Sequence, residues 1–241
     1  MLGSRSSGYA AHNADWERAI ALYRQLGDWG SLVVCLNDLG SYEFASGNYA
    51  AAQKRFEEFI ELNKTAEFQM GVAGTLYARG TLALMRGDLD QARTCLEQCV
   101  QLTGDVGDQL DSLWLRTRVG YVAVLQGELG EARAILSQCA REFHLDQGAE
   151  AGVAFALEGM AGLFVRLGNY EQAARLLGWA DSARKRVHDE RPLGEQADVD
   201  KVISACLVKI GEEAFSDAYD AGCAMSMEQA VACVCEDANR V

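Results

Sequence analysis

Gly87-Asp-Leu-Asp-Gln-Ala92 recurs along the chain, and its recurrence decides the fold. Near copies stand at Gly47-Asn-Tyr-Ala-Ala-Ala52, Gly127-Glu-Leu-Gly-Glu-Ala132 and Gly168-Asn-Tyr-Glu-Gln-Ala173. Seven positions before each opening glycine stands a small residue: Gly40, Gly80, Gly120 or Ala161. Four positions after each closing alanine stands a large apolar one: Phe56, Leu96, Leu136 or Leu177. A partial fifth copy, Asp15-Trp-Glu-Arg-Ala19 with Tyr23, lies near the start. The alanines at 19, 52, 92, 132 and 173 step by 33, 40, 40 and 41 residues. Self-similarity at this period implies a solenoid of stacked supersecondary units, an architecture that presents surfaces to partners.

The local signals are helical throughout. Pro192 is the single proline, and alanine and leucine are plentiful, which suits helix interiors. The pattern predicts a helix over 13–26, then pairs over 29–46 with 48–62, 66–86 with 88–102, 108–126 with 128–143, and 148–167 with 169–187. Each turn glycine suits a left-handed position that ends one helix. Asp88 with Gln91, Asn169 with Gln172, and Ser226 with Gln229 have capping-box spacing. Turns this short make the two helices of a pair antiparallel neighbours. Gly40, Gly80 and Gly120 then allow close approach, and Phe56, Leu96 and Leu136 fill the space between units.

Composition removes several functional classes. A net charge of −13 disfavours phosphate backbones and anionic membranes. The run Arg184-Lys185-Arg186 falls near a helix end, where cations complement the dipole. No apolar stretch reaches the ~20 residues of a membrane span, and Met1–Gly8 is polar rather than signal-like. Eight cysteines fall mostly in apolar helical stretches, as reduced, buried thiols do, which points to the cytoplasm. Cys95/Cys99 and Cys233/Cys235 lack the further ligands that zinc requires. There is no phosphate loop, no nucleophile elbow and no His-Glu-x-x-His. His12, His144 and His188 are isolated. The chain therefore reads as non-catalytic, with no cofactor and no metal.

The glycine, the tight Gly-x-x-x-x-Ala turn and the apolar residue that follows resemble the tetratricopeptide repeat over residues 13–187. The period of 40 or 41 exceeds that family's usual ~34, and its terminal proline is absent. The resemblance implies an all-α, right-handed superhelix of antiparallel helix pairs. The tail carries a second resemblance. Its words are Ala173-Ala-Arg-Leu-Leu-Gly178, Arg191-Pro-Leu193, Ala197-Asp198, Gly211-Glu-Glu-Ala-Phe215, Gly222 and Ser226-Met-Glu-Gln-Ala-Val231. They resemble the C-terminal region of large bacterial signalling ATPases and regulators: LuxR-type and maltose-activator-like factors, antibiotic regulators and some regulatory kinases. The expected organisation is a flexible leader at 1–12, an array at 13–187, a linker loop at 188–195 and a C-terminal helical cap at 196–241.

The repeat resemblance also implies a concave groove lined by the first helix of each pair. Its positions are Asn37, Ser41 and Phe44; Tyr77, Thr81 and Leu84; Thr117, Tyr121 and Val124; and Glu158 and Val165. Trp114 and Phe155 would lie deeper. Aromatic, hydroxyl and amide groups on an apolar wall suit a small effector or an extended peptide, although aliphatics at helical spacing equally fill a core. Arg116 and Arg118 could each anchor a carboxylate or a phosphate by a fork, or pair outward with a neighbouring acid. Two functions fit. One is a sensor or interaction domain of a bacterial transcriptional regulator that binds an effector or a protein, the chain being a piece of something longer. The other is a free-standing scaffold, with homodimerisation covering the unmated first helix. Neither uses nucleic acid or membrane as the partner of this region.

Overall fold

The structure, a computed structural model, describes residues 3–65, 72–106, 109–145, 149–191 and 193–235. The expected helical residues 66–71, 108 and 148, with Pro192 and residues 236–241, lie outside these. Among the described residues there are eleven helices and no strand. They are α1 (Gly3–Leu26), α2 (Trp29–Ala45), α3 (Tyr49–Thr65), α4 (Val72–Arg86), α5 (Leu89–Val106), α6 (Gln109–Gln126), α7 (Leu129–Leu145), α8 (Glu150–Leu167), α9 (Tyr170–Arg186), α10 (Leu193–Cys223) and α11 (Met227–Cys235). The chain is an all-α, tetratricopeptide-like array of antiparallel helix pairs. It divides into two compact units, residues 1–95 and 96–241. The division falls inside α5, where the sequence shows no change of composition.

One turn is used five times. Gly27, Gly47, Gly87, Gly127 and Gly168 have φ of 68°, 74°, 75°, 86° and 81°. The N–H of the next residue returns to a carbonyl five positions back: Asn48 to Glu43 at 2.8 Å, Asp88 to Ala83 at 2.9 Å, Asn169 to Phe164 at 2.8 Å. The glycine N–H itself returns three back, as from Gly87 to Leu84 at 3.0 Å. This double bond pattern satisfies the orphan carbonyls at a helix end, and it needs a residue tolerant of positive φ. The turn at Gly27 is of the same kind, with Asp28 donating to Tyr23 at 3.0 Å. The partial copy at Asp15–Ala19 instead lies within α1, where Ala14 stands at the position of the turn glycine. The helical backbone of α1 also takes in residues 3–12, read above as leader.

Caps follow the sequence in two of three places. Asp88 accepts from the Gln91 N–H at 3.1 Å, and Ser226 with Gln229 form a reciprocal pair at 2.9 and 3.3 Å. Asn169 makes no side-chain cap bond. Asp28, unremarked in sequence, caps α2 by accepting from the Ser31 N–H at 3.1 Å.

In the first unit α2 and α3 pair, with α1 against α2 and α4 against α3. Phe56 is fully buried, and a Cβ on Gly40 would come within 3.0 Å of its ring. Leu32, Leu36, Leu39 and Ile20 complete that core. In the second unit Leu136 sits between two glycines: added Cβ atoms would reach it at 2.9 Å from Gly120 and 3.1 Å from Gly159. The second core centres on α8, where every residue from Gly152 to Ala161 is buried. A helix apolar all round must be surrounded. The helices α6, α7, α9, α10 and α11 all pack on α8.

The C-terminal segment does this surrounding. Gly211, at φ 80° and ψ 170°, kinks α10. The first half, Leu193 to Ile210, buries Val199 and Cys206 in the α8 core. The second half crosses α9 at a pair of glycines. A Cβ on Gly178 would fall 2.0 Å from the Tyr219 carbonyl oxygen, and one on Gly222 1.9 Å from that of Arg175. Beyond Ser226, α11 returns to α7 and α8.

Candidate functional site

The expected groove residues separate into two groups. In the first unit Asn37, Ser41 and Phe44 share one face of α2, at i, i+4 and i+7, and all are half-buried. The carboxamide oxygen of Asn37 is buried and accepts no hydrogen bond from the described residues. The Phe44 ring lies 5.6 Å from that of Tyr49. On α4 Tyr77 and Leu84 are half-buried, whereas Thr81 is turned inward at 3% exposure. A buried ion pair stands behind this face: Glu43, 1% exposed, faces the Arg55 Nε at 3.7 Å, and Arg55 also binds Glu17 of α1.

In the second unit the corresponding faces are filled by the protein itself. Thr117 is buried, and its hydroxyl donates to the Leu113 carbonyl of its own helix at 2.9 Å. Trp114 stacks on Phe155 with centroids 5.6 Å apart and meets Phe143 edge-on at 5.3 Å. Gly152 leaves room for the Phe143 ring, which a Cβ there would meet at 2.3 Å. Arg118 lies over the opposite neighbour of that stack, 5.5 Å from the Phe155 centroid, and reaches Glu195 of α10 at 3.5 Å. Tyr121 donates its phenol proton to Asp198, also of α10. Burial foremost, then the Asp198 carboxylate, pushes the Tyr121 pKa well above its ordinary value. Val124 is buried, and Val165 is half-buried against the same core. Arg116 does pair outward, in a fork to Glu142 at 2.8 and 3.2 Å.

Glu158 is the centre of a buried ionic cluster. Arg184 of α9 grips it with two bonds, at 2.8 and 3.0 Å, and Arg191 of the α9–α10 connection adds contacts at 2.7 and 3.1 Å. The side chains of Glu158, Arg184 and Arg191 are only 6%, 6% and 7% exposed. Arg184 extends to Asp189 and Glu195, and Arg191 to Asp181 at 2.5 Å. Tyr219 of the second half of α10 donates to the same Asp181 at 2.5 Å. Burial alone would lower the Arg184 and Arg191 pKa values, but Glu158 holds both above the ordinary range. Glu195 moves the other way for a carboxyl: burial raises its pKa against the pull of Arg118 and Arg184. Buried charges need this degree of pairing, since an uncompensated one costs several kcal/mol. The cluster ties α6, α8, α9 and both halves of α10 together.

Sequence reasoning reached Glu158, Arg118 and Tyr121 but missed their partners. Arg184, expected at a helix end where a cation complements the dipole, is only 5% exposed. A signal was present: Leu177, Ala180 and Arg184 stand at i, i+3 and i+7 on the buried face of α9. Glu195 and Asp198 are one turn apart on α10 and carried no comparable signal. Among the described residues, no group of three or more His, Cys, Asp or Glu side chains comes together as metal ligands would. No helix among them is long and apolar enough to cross a membrane.

Residues 73–98, which span α4, the Gly87 turn and the first half of α5, match the tetratricopeptide repeat family. Tetratricopeptide repeats are a non-catalytic protein-interaction fold. Three mycobacterial proteins, two from strains of Mycobacterium tuberculosis and one from Mycobacterium bovis, are each 29% identical to the chain over 188 residues. Each bears the name "Putative HTH-type transcriptional regulator". The match covers 78% of this chain and 20% of each relative, so the chain spans about a fifth of the length of the curated relatives it matches. The fold and this likeness agree on a tetratricopeptide-like helical region of the kind found in such regulators.

Proposed function

We propose that the chain is the sensor or interaction region of a bacterial transcriptional regulator of the LuxR-like, multi-module type. It works by binding, without catalysis: the first helices of its pairs recognise a partner protein or a small effector, and binding biases a switch elsewhere in the regulator. One observation carries the groove reading. The Asn37 oxygen is a buried acceptor with no donor among the described residues, on the α2 face that also holds Ser41 and Phe44. A buried polar atom left unpaired costs about 1–3 kcal/mol, and a ligand N–H or O–H would recover it. Within the first unit Tyr77 is a further recognition group of this reading, and within the second unit Arg118 is one. The test is a thermal-shift and calorimetric screen of small effectors, with affinity capture on the whole chain. A saturable ligand or stoichiometric partner whose binding falls at least about tenfold with Asn37→Ala, about 1.4 kcal/mol, supports it. A clean capture and no saturable ligand refute it.

Self-association is the second reading, and one surface favours it. Leu22 and Leu26 are 52% and 68% exposed one turn apart on α1, and Trp29, 46% exposed, follows at the start of α2. Apolar side chains gathered at one turn suit a second copy. Sedimentation showing a monomer at high protein concentration removes it.

A further inference from the structure

The two groove residues of α6 that face outward are already engaged by a helix from later in the chain. Arg118 meets Glu195, and Tyr121 meets Asp198, so an acid pair one turn apart on α10 holds a cation and a phenol one turn apart on α6. Val124 of α6 and Val202 of α10 both border Gly162 of α8, where an added Cβ would lie 3.9 Å from each. The first half of α10 thus engages α6 through this acid pair while it packs on α8 and α9.

Two further features set that half apart from the rest of α10. It ends at the Gly211 kink, a backbone geometry open to glycine and to little else. Its exposed side carries Val208 at 81% exposure and Leu207 at 37%, while its inward side sets Val199 and Cys206 in the core with Val202 and Ile203 packed beside them. The acids around it also outnumber the bases. Glu158, Asp181, Asp189 and Glu195 share Arg184, Arg191 and Arg118. Burial raises the Glu195 pKa, so its carboxylate is held there against a desolvation cost.

We propose that residues 193–210 are an autoinhibitory lid, hinged at Gly211, that competes with a carboxylate-bearing ligand for Arg118 and Tyr121. The inference rests on the groove reading and adds its regulation and ligand class. An acidic helical segment with Glu-x-x-Asp spacing has the chemistry to replace the lid, because that is the spacing the lid presents. Occupancy of the groove and closure of the lid exclude each other, and this exclusivity transmits binding to the C-terminal helices.

The test uses the whole chain, a Glu195→Ala/Asp198→Ala double variant, and a synthetic peptide copying residues 193–204. Hydrogen exchange should rise at least about tenfold across residues 193–210 of the variant, about 1.4 kcal/mol. Exchange in α9 and in the second half of α10 should be unchanged. Calorimetry should show the peptide binding the variant at least about tenfold more tightly than the parent, again about 1.4 kcal/mol, and this should be lost on adding Arg118→Gln. Exchange that rises equally through α9 overturns the lid while leaving the groove reading intact. A lid that opens without any gain in peptide binding overturns the competition and counts against Arg118 and Tyr121 as a ligand site. No change in either measurement overturns the proposal outright.

Discussion

Replacing Gly178 with alanine should be among the most damaging single-methyl changes in the chain. The added Cβ would lie 2.0 Å from the Tyr219 carbonyl oxygen and 2.9 Å from its carbonyl carbon. A comfortable carbon–oxygen contact is about 3.4 Å, so α9 and the second half of α10 would have to part by roughly 1.4 Å. Nothing soft lies in the way, since the obstructing atoms belong to helical backbone. The Cys223 thiol, which donates to the Gly178 carbonyl at 3.4 Å, would lose its partner as the helices separate. Overpacking costs about 1–3 kcal/mol in general, and a backbone clash belongs at the upper end, about 3 kcal/mol. In a unit of this size that lowers Tm by roughly 6–12 °C. Gly222→Ala should behave alike, its Cβ meeting the Arg175 oxygen at 1.9 Å. Gly162→Ala is the opposing control. It sits inside α8, its Cβ would touch Val124 and Val202 at an ordinary 3.9 Å, and helix propensity should raise stability by about 0.5–1 kcal/mol. Urea unfolding followed by far-ultraviolet circular dichroism reads all three. A neutral Gly178→Ala, or the same sign for Gly178→Ala and Gly162→Ala, refutes the argument from backbone approach.

Glu158→Ala leaves Arg184 and Arg191 buried without their shared carboxylate, and should cost about 3–5 kcal/mol in the same assay. Gly87→Ala puts a Cβ on a residue at φ 75°, and should cost about 1 kcal/mol although the space around it is open. Ser226→Ala removes one half of the α11 capping box and should cost about 1 kcal/mol, seen as faster hydrogen exchange in Met227–Cys235. Tyr121 and Tyr219 both have folded pKa values above the ordinary 10.0, with burial the first cause of each. Their neutral forms favour the fold, so this contribution is fully present below the unfolded value and is lost as pH rises past it. The urea midpoint should therefore decline above about pH 10, and a Tyr121→Phe/Tyr219→Phe variant should show a shallower decline.

The turns and the pairings around them were open to inspection because each rests on residues close in sequence. A glycine at C′ fixes a helix end through bonds that span five residues, and the alanine five positions after it marks the next helix wherever it occurs. Gly27 was passed over because Leu32 stands where the other copies have alanine, yet its turn obeys the same bonding rule. Small-against-large packing was equally plain at Gly40 with Phe56 and Gly120 with Leu136. The candidate site was harder. Periodicity places Thr81, Thr117 and Glu158 on the first helices of their pairs, but it does not say whether a polar residue there meets a ligand or the next helix. Thr117 satisfies itself within its own turn, and Glu158 is met by arginines 26 and 33 residues away.

By itself the sequence determined the helices, the recurrent left-handed turn, the small–large contacts and the net negative charge, because these depend on local bonding, periodicity and composition. Tertiary structure alone decided that Arg184 is interior, that the first half of α10 packs on α8 and α9, and that Tyr121 gives its proton to Asp198, 77 residues on. Such pairings depend on where distant helices come to rest. A charge reveals neither its burial nor its partner until the low-dielectric interior has formed around both.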